Sequence, residues 1–192
     1  MILASQSPRR KEILSDFGFK IKVKVKEIEE KSNKKTIIEQ IEDIANQKSE
    51  IIAKENINEY VLAADTVVVL GEEILGKPKT KEKAEEMLNK LSGKMHQVIT
   101  GYSLINKKKN LKIIGHDITN VHMKKILENE LKWYIETEDS LDKAGGYGIQ
   151  GKAAIFIDKI EGDFFNVMGF PLSAFVEQLR KQNFDINKII NL

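Results

Sequence analysis

The chain has 192 residues, 41% hydrophobic and 31% charged, enough apolar material for one buried core, which excludes disordered, collagen-like and coiled-coil classes. Lysine plus arginine number 31 and aspartate plus glutamate 29, so the net charge of +2 names no partner and gives no basic stripe for duplex DNA. Cysteine is absent, which removes disulfides, thiolate nucleophiles and zinc–cysteine sites.

Residues 1–4 read as a buried strand that passes through Ser5-Gln6-Ser7 into Pro8, where a helix starts with Ser7 as its N-cap and runs to about Phe17. Gly18 is the stop. Ile21, Val23 and Val25 alternate with lysines, a period of two that predicts a strand with one face on the core. Thr36 and Glu39 have capping-box spacing ahead of Ile37, Ile41, Ile44 and Ile52, which predicts a long amphipathic helix to about Lys54. Lys48 falls on its apolar stripe. Residues 61–70 form an apolar run suited to a strand covered on both faces, interrupted only by Asp65 and Thr66.

Gly71-Glu72 turns this strand back on Ile74-Leu75, Lys77-Pro78 ends the hairpin, and Thr80 opens a helix that Gly93 closes. Strands are expected around 98–105 and 111–123, joined by an exposed charged turn at 106–110. A helix near 127–137 follows, then a glycine-rich stretch at 142–151, then strands around 153–160 and 164–168, and Pro171 starts the last major helix. Trp133, Tyr134 and the eight phenylalanines read as packing residues. With no repeat and no dividing linker, the pattern predicts one α/β domain spanning 1–192, pinched into two lobes around a cleft.

Three segments carry chemistry. Ser5-Gln6-Ser7-Pro8-Arg9-Arg10 sets hydroxyls and a helix N-terminus beside two guanidinium groups; it is either a phosphate cradle or a capped helix with two surface arginines. Asp65 in an apolar strand needs a compensating partner, either a structural cation or a metal or substrate. Lys48 poses the same question with opposite sign, or snorkels outward. The third segment, 142–151, has four glycines that let backbone approach a ligand, and the Gln150 amide both donates and accepts, as reading a nucleobase edge requires. His96, His116 and His122 show no ligand spacing and read as structural or surface residues.

These segments together resemble the Maf family of nucleoside triphosphate pyrophosphatases over essentially the whole chain. The resemblance rests on Leu3-Ala4-Ser5-Gln6-Ser7-Pro8-Arg9-Arg10, Ala64-Asp65-Thr66-Val67-Val68, Gly76-Lys77-Pro78, Leu91-Ser92-Gly93, Thr100-Gly101, the run from Asp142 to Gly151, and Asn166-Val167-Met168-Gly169-Phe170-Pro171-Leu172. It implies a Maf/ITPase-like fold, an elongated mixed central sheet flanked by helices with a nucleotide cleft, and cleavage of a nucleoside triphosphate to monophosphate and pyrophosphate. Asp65 is then the proton acceptor, Arg10, Thr66 and Gln150 set substrate choice with Ser7 beside them, and Glu30, Lys48 and Lys77 are the remaining cleft charges. Arg10 and Gly148-Ile149-Gln150-Gly151 look like the branch taking dTTP and UTP. Phe170, Ser49 and Met123 depart from the usual leucine, alanine and aromatic, away from the cleft residues.

Such a reaction calls for cations around the triphosphate, and the expectation is that Mg2+ or Mn2+ joins Arg10, Lys48 and Lys77, with Glu30 and Asp65 as metal ligands. A carboxylate is a weak base at neutral pH, so either a metal-bound water is already acidified or the carboxylate's surroundings strengthen it. Direct attack by water is expected, since no nucleophilic side chain with its activating base stands out. A nucleoside triphosphate is the expected partner, without nucleic acid or membrane, and the resemblance implies a homodimer. No apolar run reaches the ~18 residues of a membrane helix and residues 1–4 are too short for a secretory signal, so a cytoplasmic location is expected. The competing reading is a non-catalytic nucleotide-binding regulator of septum formation or cell division, which has no need of the Asp65 carboxylate beside an anionic ligand.

Overall fold

The computed structural model describes all 192 residues, Met1–Leu192. The buried N-terminal run forms β1 (Ile2–Leu3), followed by α1 (Pro8–Phe17), whose start is set by the Ser7 hydroxyl accepting from the Arg10 amide and whose end is set by Gly18 in the left-handed region at φ 110°. After β2 (Lys22–Val23) comes α2 (Ile37–Ala53), opened by the expected capping box of Thr36 and Glu39. β3 (Val61–Leu70) and β4 (Glu73–Leu75) make the expected hairpin, and Thr80 caps α3 (Lys81–Leu91). β5 (Met95–Asn106), β6 (Leu111–Met123), α4 (Glu128–Glu136), β7 (Ile157–Glu161), α5 (Phe164–Met168), α6 (Leu172–Lys181) and α7 (Ile186–Ile190) complete the chain. The sheet is mixed, in the order β2-β1-β3-β5-β6-β7 with β4 on β3; β1 is parallel to β2 and β3, while β4 and β7 pair antiparallel to β3 and β6. The fold class is α/β, as the pattern of elements predicts.

Four local expectations are corrected. The lysine-alternating strand shrinks to two residues at the sheet edge, with Val23 and Val25 exposed, because its only strand neighbour, β1, is two residues long. Residues 152–156 form a 3-10 helix instead of the start of a strand, and 164–168 form α5 instead of a strand. Phe164 and Phe165 on that short helix, and Trp133 on α4, stay about half exposed, so they are not core; Tyr134 does pack, edge-on to Phe156 at 5.5 Å. A further helix, α7, follows the one that Pro171 starts.

The chain divides into two compact units. One comprises Met1–Asp65, Thr100–Asp117 and Gly169–Leu192, the other Thr66–Ile99 and Ile118–Met168. The first buries Leu3, Leu14, Ile41 and Leu62 with an aromatic group in which Tyr102 and Phe170 lie 5.5 and 5.3 Å from Phe175. Its α2 lies close against β5: a Cβ on Gly101 would stand 2.8 Å from the Ile41 side chain and 2.9 Å from the Glu42 backbone nitrogen. The second unit gathers Val68, Leu88, Val121, Tyr134, Tyr147 and Phe156 into its own core.

Candidate functional site

In the first unit, four charged side chains come together. Lys48 sits on α2 one position before buried Ser49, and its ammonium donates to Asp65 Oδ1 at 2.7 Å and pairs with Glu30 Oε1 at 2.8 Å. The Lys48 and Asp65 side chains are each only 16% exposed, whereas Glu30 is 54% exposed, so the first pair is largely withdrawn from water and the second opens toward it. This answers both questions the sequence left open: the partner of Asp65 is Lys48, and Lys48 does not snorkel outward. Ser49, behind Lys48, donates to the Asn46 carbonyl and accepts from the Ser103 hydroxyl at 2.9 Å, which secures this turn of α2 to β5.

Arg10 comes from the first turn of α1 and folds back. Its Nε donates to the Gly169 carbonyl at 2.7 Å and its Nη1 to Ser5 Oγ at 2.9 Å, and Ser5 Oγ also accepts from the Ser7 amide. Burial holds the Arg10 guanidinium below its ordinary pKa; Asp65 opposes that, Arg9 adds to it, and Glu30 opposes it. Arg10, Glu30, Lys48 and Asp65 are therefore one electrostatic group of two cations and two carboxylates. The Ser7 hydroxyl is engaged in capping α1, so Ser7 contributes its position at a helix N-terminus. Ser5 and the Gly169 carbonyl, which fix the guanidinium, were not singled out from the sequence; the one signal was the density of hydroxyls before Arg10.

In the second unit, Thr66 follows Asp65 on β3 and is half-buried, Lys77 is exposed between β4 and α3, and Gln150 is exposed in the glycine-rich segment. That segment is tied down at several points. The Gly145 amide donates to the Gly76 carbonyl at 3.0 Å, linking it to Gly76-Lys77-Pro78. Gly145 has φ 69° and a Cβ there would stand 3.0 Å from Val68, so the turn requires glycine for both conformation and space. Tyr147 is buried with its hydroxyl 2.6 Å from His96 Nε2, and the Gly151 amide reaches the Gly148 carbonyl at 3.3 Å, closing a turn with Gln150 inside it. His96 is 1% exposed and burial lowers its pKa to about 4, with a smaller contribution from His122; burial pushes the Tyr147 hydroxyl well up. His116 pairs with Glu42 and His122 with Glu161, and no group of three or more His, Asp or Glu side chains gathers to hold a metal ion.

The fit of a divalent cation rests on Glu30 and Asp65 alone. Two carboxylates gathered around one positive charge suit a hard cation such as Mg2+, which takes its other ligands from water and substrate phosphate; they do not make an all-protein cage.

A family model described as Maf-like protein matches residues 1–182. A relative from Fusobacterium nucleatum named dTTP/UTP pyrophosphatase is 52% identical over 189 residues, covering 98% of each chain, and one of the same name from Pyrococcus abyssi is 47% identical over 181 residues, covering 94% of this chain and 95% of its own. A solved structure of the Staphylococcus aureus Ham1 protein aligns with a TM-score of 0.47 at 20% identity, over 64% of this chain and 70% of that one. With a match across nearly all of its length and relatives at about half identity, this chain belongs to the Maf-like protein family.

Proposed function

We propose that the protein is a nucleoside triphosphate pyrophosphatase that hydrolyses dTTP and UTP to the monophosphate and pyrophosphate. The observation that carries this is the Glu30–Lys48–Asp65 array with Arg10 beside it, and the names of relatives at 47 and 52% identity support the substrate choice. A structural salt bridge needs one carboxylate; here one ammonium holds two, with a guanidinium in the same field.

The substrate brings roughly four negative charges, and more charge develops on the leaving pyrophosphate. Arg10 and Lys48 meet that charge, helped by the N-terminus of α1 at Ser7, and Lys77 is a further cation for it in this reading. Water attacks the α-phosphorus, the bond from that phosphorus to the α–β bridging oxygen breaks, and pyrophosphate leaves with the electron pair. The water's proton passes to the Asp65 carboxylate, whose Oδ1 is steadied by Lys48. Glu30 and Asp65 would hold Mg2+ or Mn2+, which when bound would supply Lewis-acid charge at the phosphate oxygens. Thr66 and Gln150 select the base, Gln150 through an amide that donates and accepts at once. No helix is long and apolar enough to cross a membrane, and the working form in this reading is a cytoplasmic homodimer.

Pyrophosphate release measured with Mg2+ or Mn2+ across dTTP, UTP, dCTP, dATP and GTP tests the proposal. Turnover is expected for dTTP and UTP above the others. Tight binding of dTTP with no release from any nucleotide replaces the enzyme with a nucleotide-binding regulator.

A further inference from the structure

We infer that His96 is a positioning residue for base selection, acting through the Tyr147 hydroxyl to set the turn that carries Gln150. The inference rests on the reading of Gln150 as the base-contacting residue, and it concerns only groups within the second compact unit.

Four observations carry it. His96 on β5 is 1% exposed, and its Nε2 meets the Tyr147 hydroxyl at 2.6 Å with the rings edge-on at 5.3 Å, so one rigid strand residue grips the middle of a glycine-rich segment. Its Nδ1 is buried without a hydrogen-bond partner, an unfavourable arrangement that a leucine or phenylalanine in the same place would avoid. The grip is set among glycines: Gly145 and Gly146 precede Tyr147 at φ 69° and 77°, and Gly148 follows it with the Lys143 stem where a Cβ would go. The segment around Tyr147 therefore has few side chains of its own to pack; backbone contacts such as Gly145 to Gly76 hold its start, and the Tyr147 ring with its one polar contact is the side-chain anchor nearest Gln150. Finally, Gln150 lies three residues beyond Tyr147, in the turn closed from the Gly151 amide to the Gly148 carbonyl, so Tyr147 is the buried side chain that anchors the entry to that turn.

With the hydroxyl kept neutral by burial, either Tyr147 donates to Nε2 or the Nε2–H donates to the hydroxyl; both arrangements need one hydrogen-bonding group at 96 and one at 147. A residue of similar shape without that group should loosen the turn while leaving the phosphate chemistry of the first unit in place.

The test uses Tyr147→Phe, which removes one oxygen and keeps the ring, together with His96→Leu and His96→Gln, the last of which retains a donor and an acceptor. Each is assayed with dTTP, UTP, dCTP and GTP in Mg2+, and amide hydrogen exchange is followed across residues 142–151. Expected are a rise in KM of about tenfold with kcat changed less, and faster exchange in the turn, for Tyr147→Phe and His96→Leu, with partial recovery in His96→Gln. Unchanged KM and unchanged exchange in folded Tyr147→Phe overturn the inference, as does an equal loss in His96→Gln and His96→Leu. Gln150→Ala in the same assay separates the two readings. If it leaves nucleotide ranking intact while Tyr147→Phe still loosens the turn and raises KM, then positioning stands and the assignment of Gln150 falls.

Discussion

In the proposed reaction, a carboxylate within an apolar strand is the residue on which the chemistry turns. Asp65 was legible because it breaks an otherwise apolar run, and the need for a partner followed from desolvation alone. Which residue answers was not legible, since Lys48 lies 17 positions earlier and Glu30 another 18 before it, in a stretch without regular structure. Only the fold brings them to one ammonium. Asp65→Asn removes the proton acceptor and its charge together while keeping the shape, and an amide oxygen can still accept from Lys48. Pyrophosphate release from dTTP should fall by about 10²–10⁴-fold, the usual range for a lost general base. Thermal unfolding, followed in parallel, should move by only a few degrees. Near-normal turnover in the folded variant would remove Asp65 from proton transfer.

Among the elements, those whose ends are fixed by local chemistry were readable and those fixed by distant partners were not. Ser7, Thr36 and Thr80 each cap a helix as their spacing predicts, because the capping hydrogen bond lies within three residues. The segment 164–168 misled because Phe, Phe and Val favour strands, whereas the structure bends it into α5 through contacts from elsewhere: Asn166 donates to the Val98 carbonyl and to Thr119 Oγ1, and the Asp163 amide donates to that same hydroxyl. Thr100-Gly101 stood out in the sequence without a stated reason, and the approach of α2 to β5 supplies one. Gly101→Ala places a methyl within 2.9 Å of helix backbone, which cannot rotate aside, so α2 must shift together with Lys48. A loss of about 1–3 kcal/mol is expected, lowering Tm by roughly 2–4 °C per kcal/mol. Gly76→Ala, where a Cβ meets nothing within 4 Å, is the stability control. Equal melting temperatures for the two variants would contradict the close approach.

For the molecule as a whole, the alternation of strands and helices announced an α/β fold, while the order β2-β1-β3-β5-β6-β7 was beyond sequence patterning because register and neighbour choice depend on non-local pairing. Equally hidden was the pH dependence stored in the lone buried histidine. His96 titrates near its ordinary 6.5 when unfolded and at about 4 when folded, since burial disfavours the charged ring and His122 adds to that. Above pH 6.5 both states are neutral and the contribution is complete. Between 6.5 and about 4 the unfolded chain binds a proton that the folded ring refuses, so stability falls as pH falls, and below about 4 this slope ends. The interval corresponds to about 3 kcal/mol as an upper limit. Lowered carboxylates such as Glu50 lose stability in the same direction in more acid solution, so the quantity to measure is a difference. Urea unfolding of the protein and of His96→Gln from pH 7.5 to 4.5 should show the variant losing less stability, its curve shallower by up to one bound proton. Parallel curves would mean that His96 is reached by water and protonated in the folded protein.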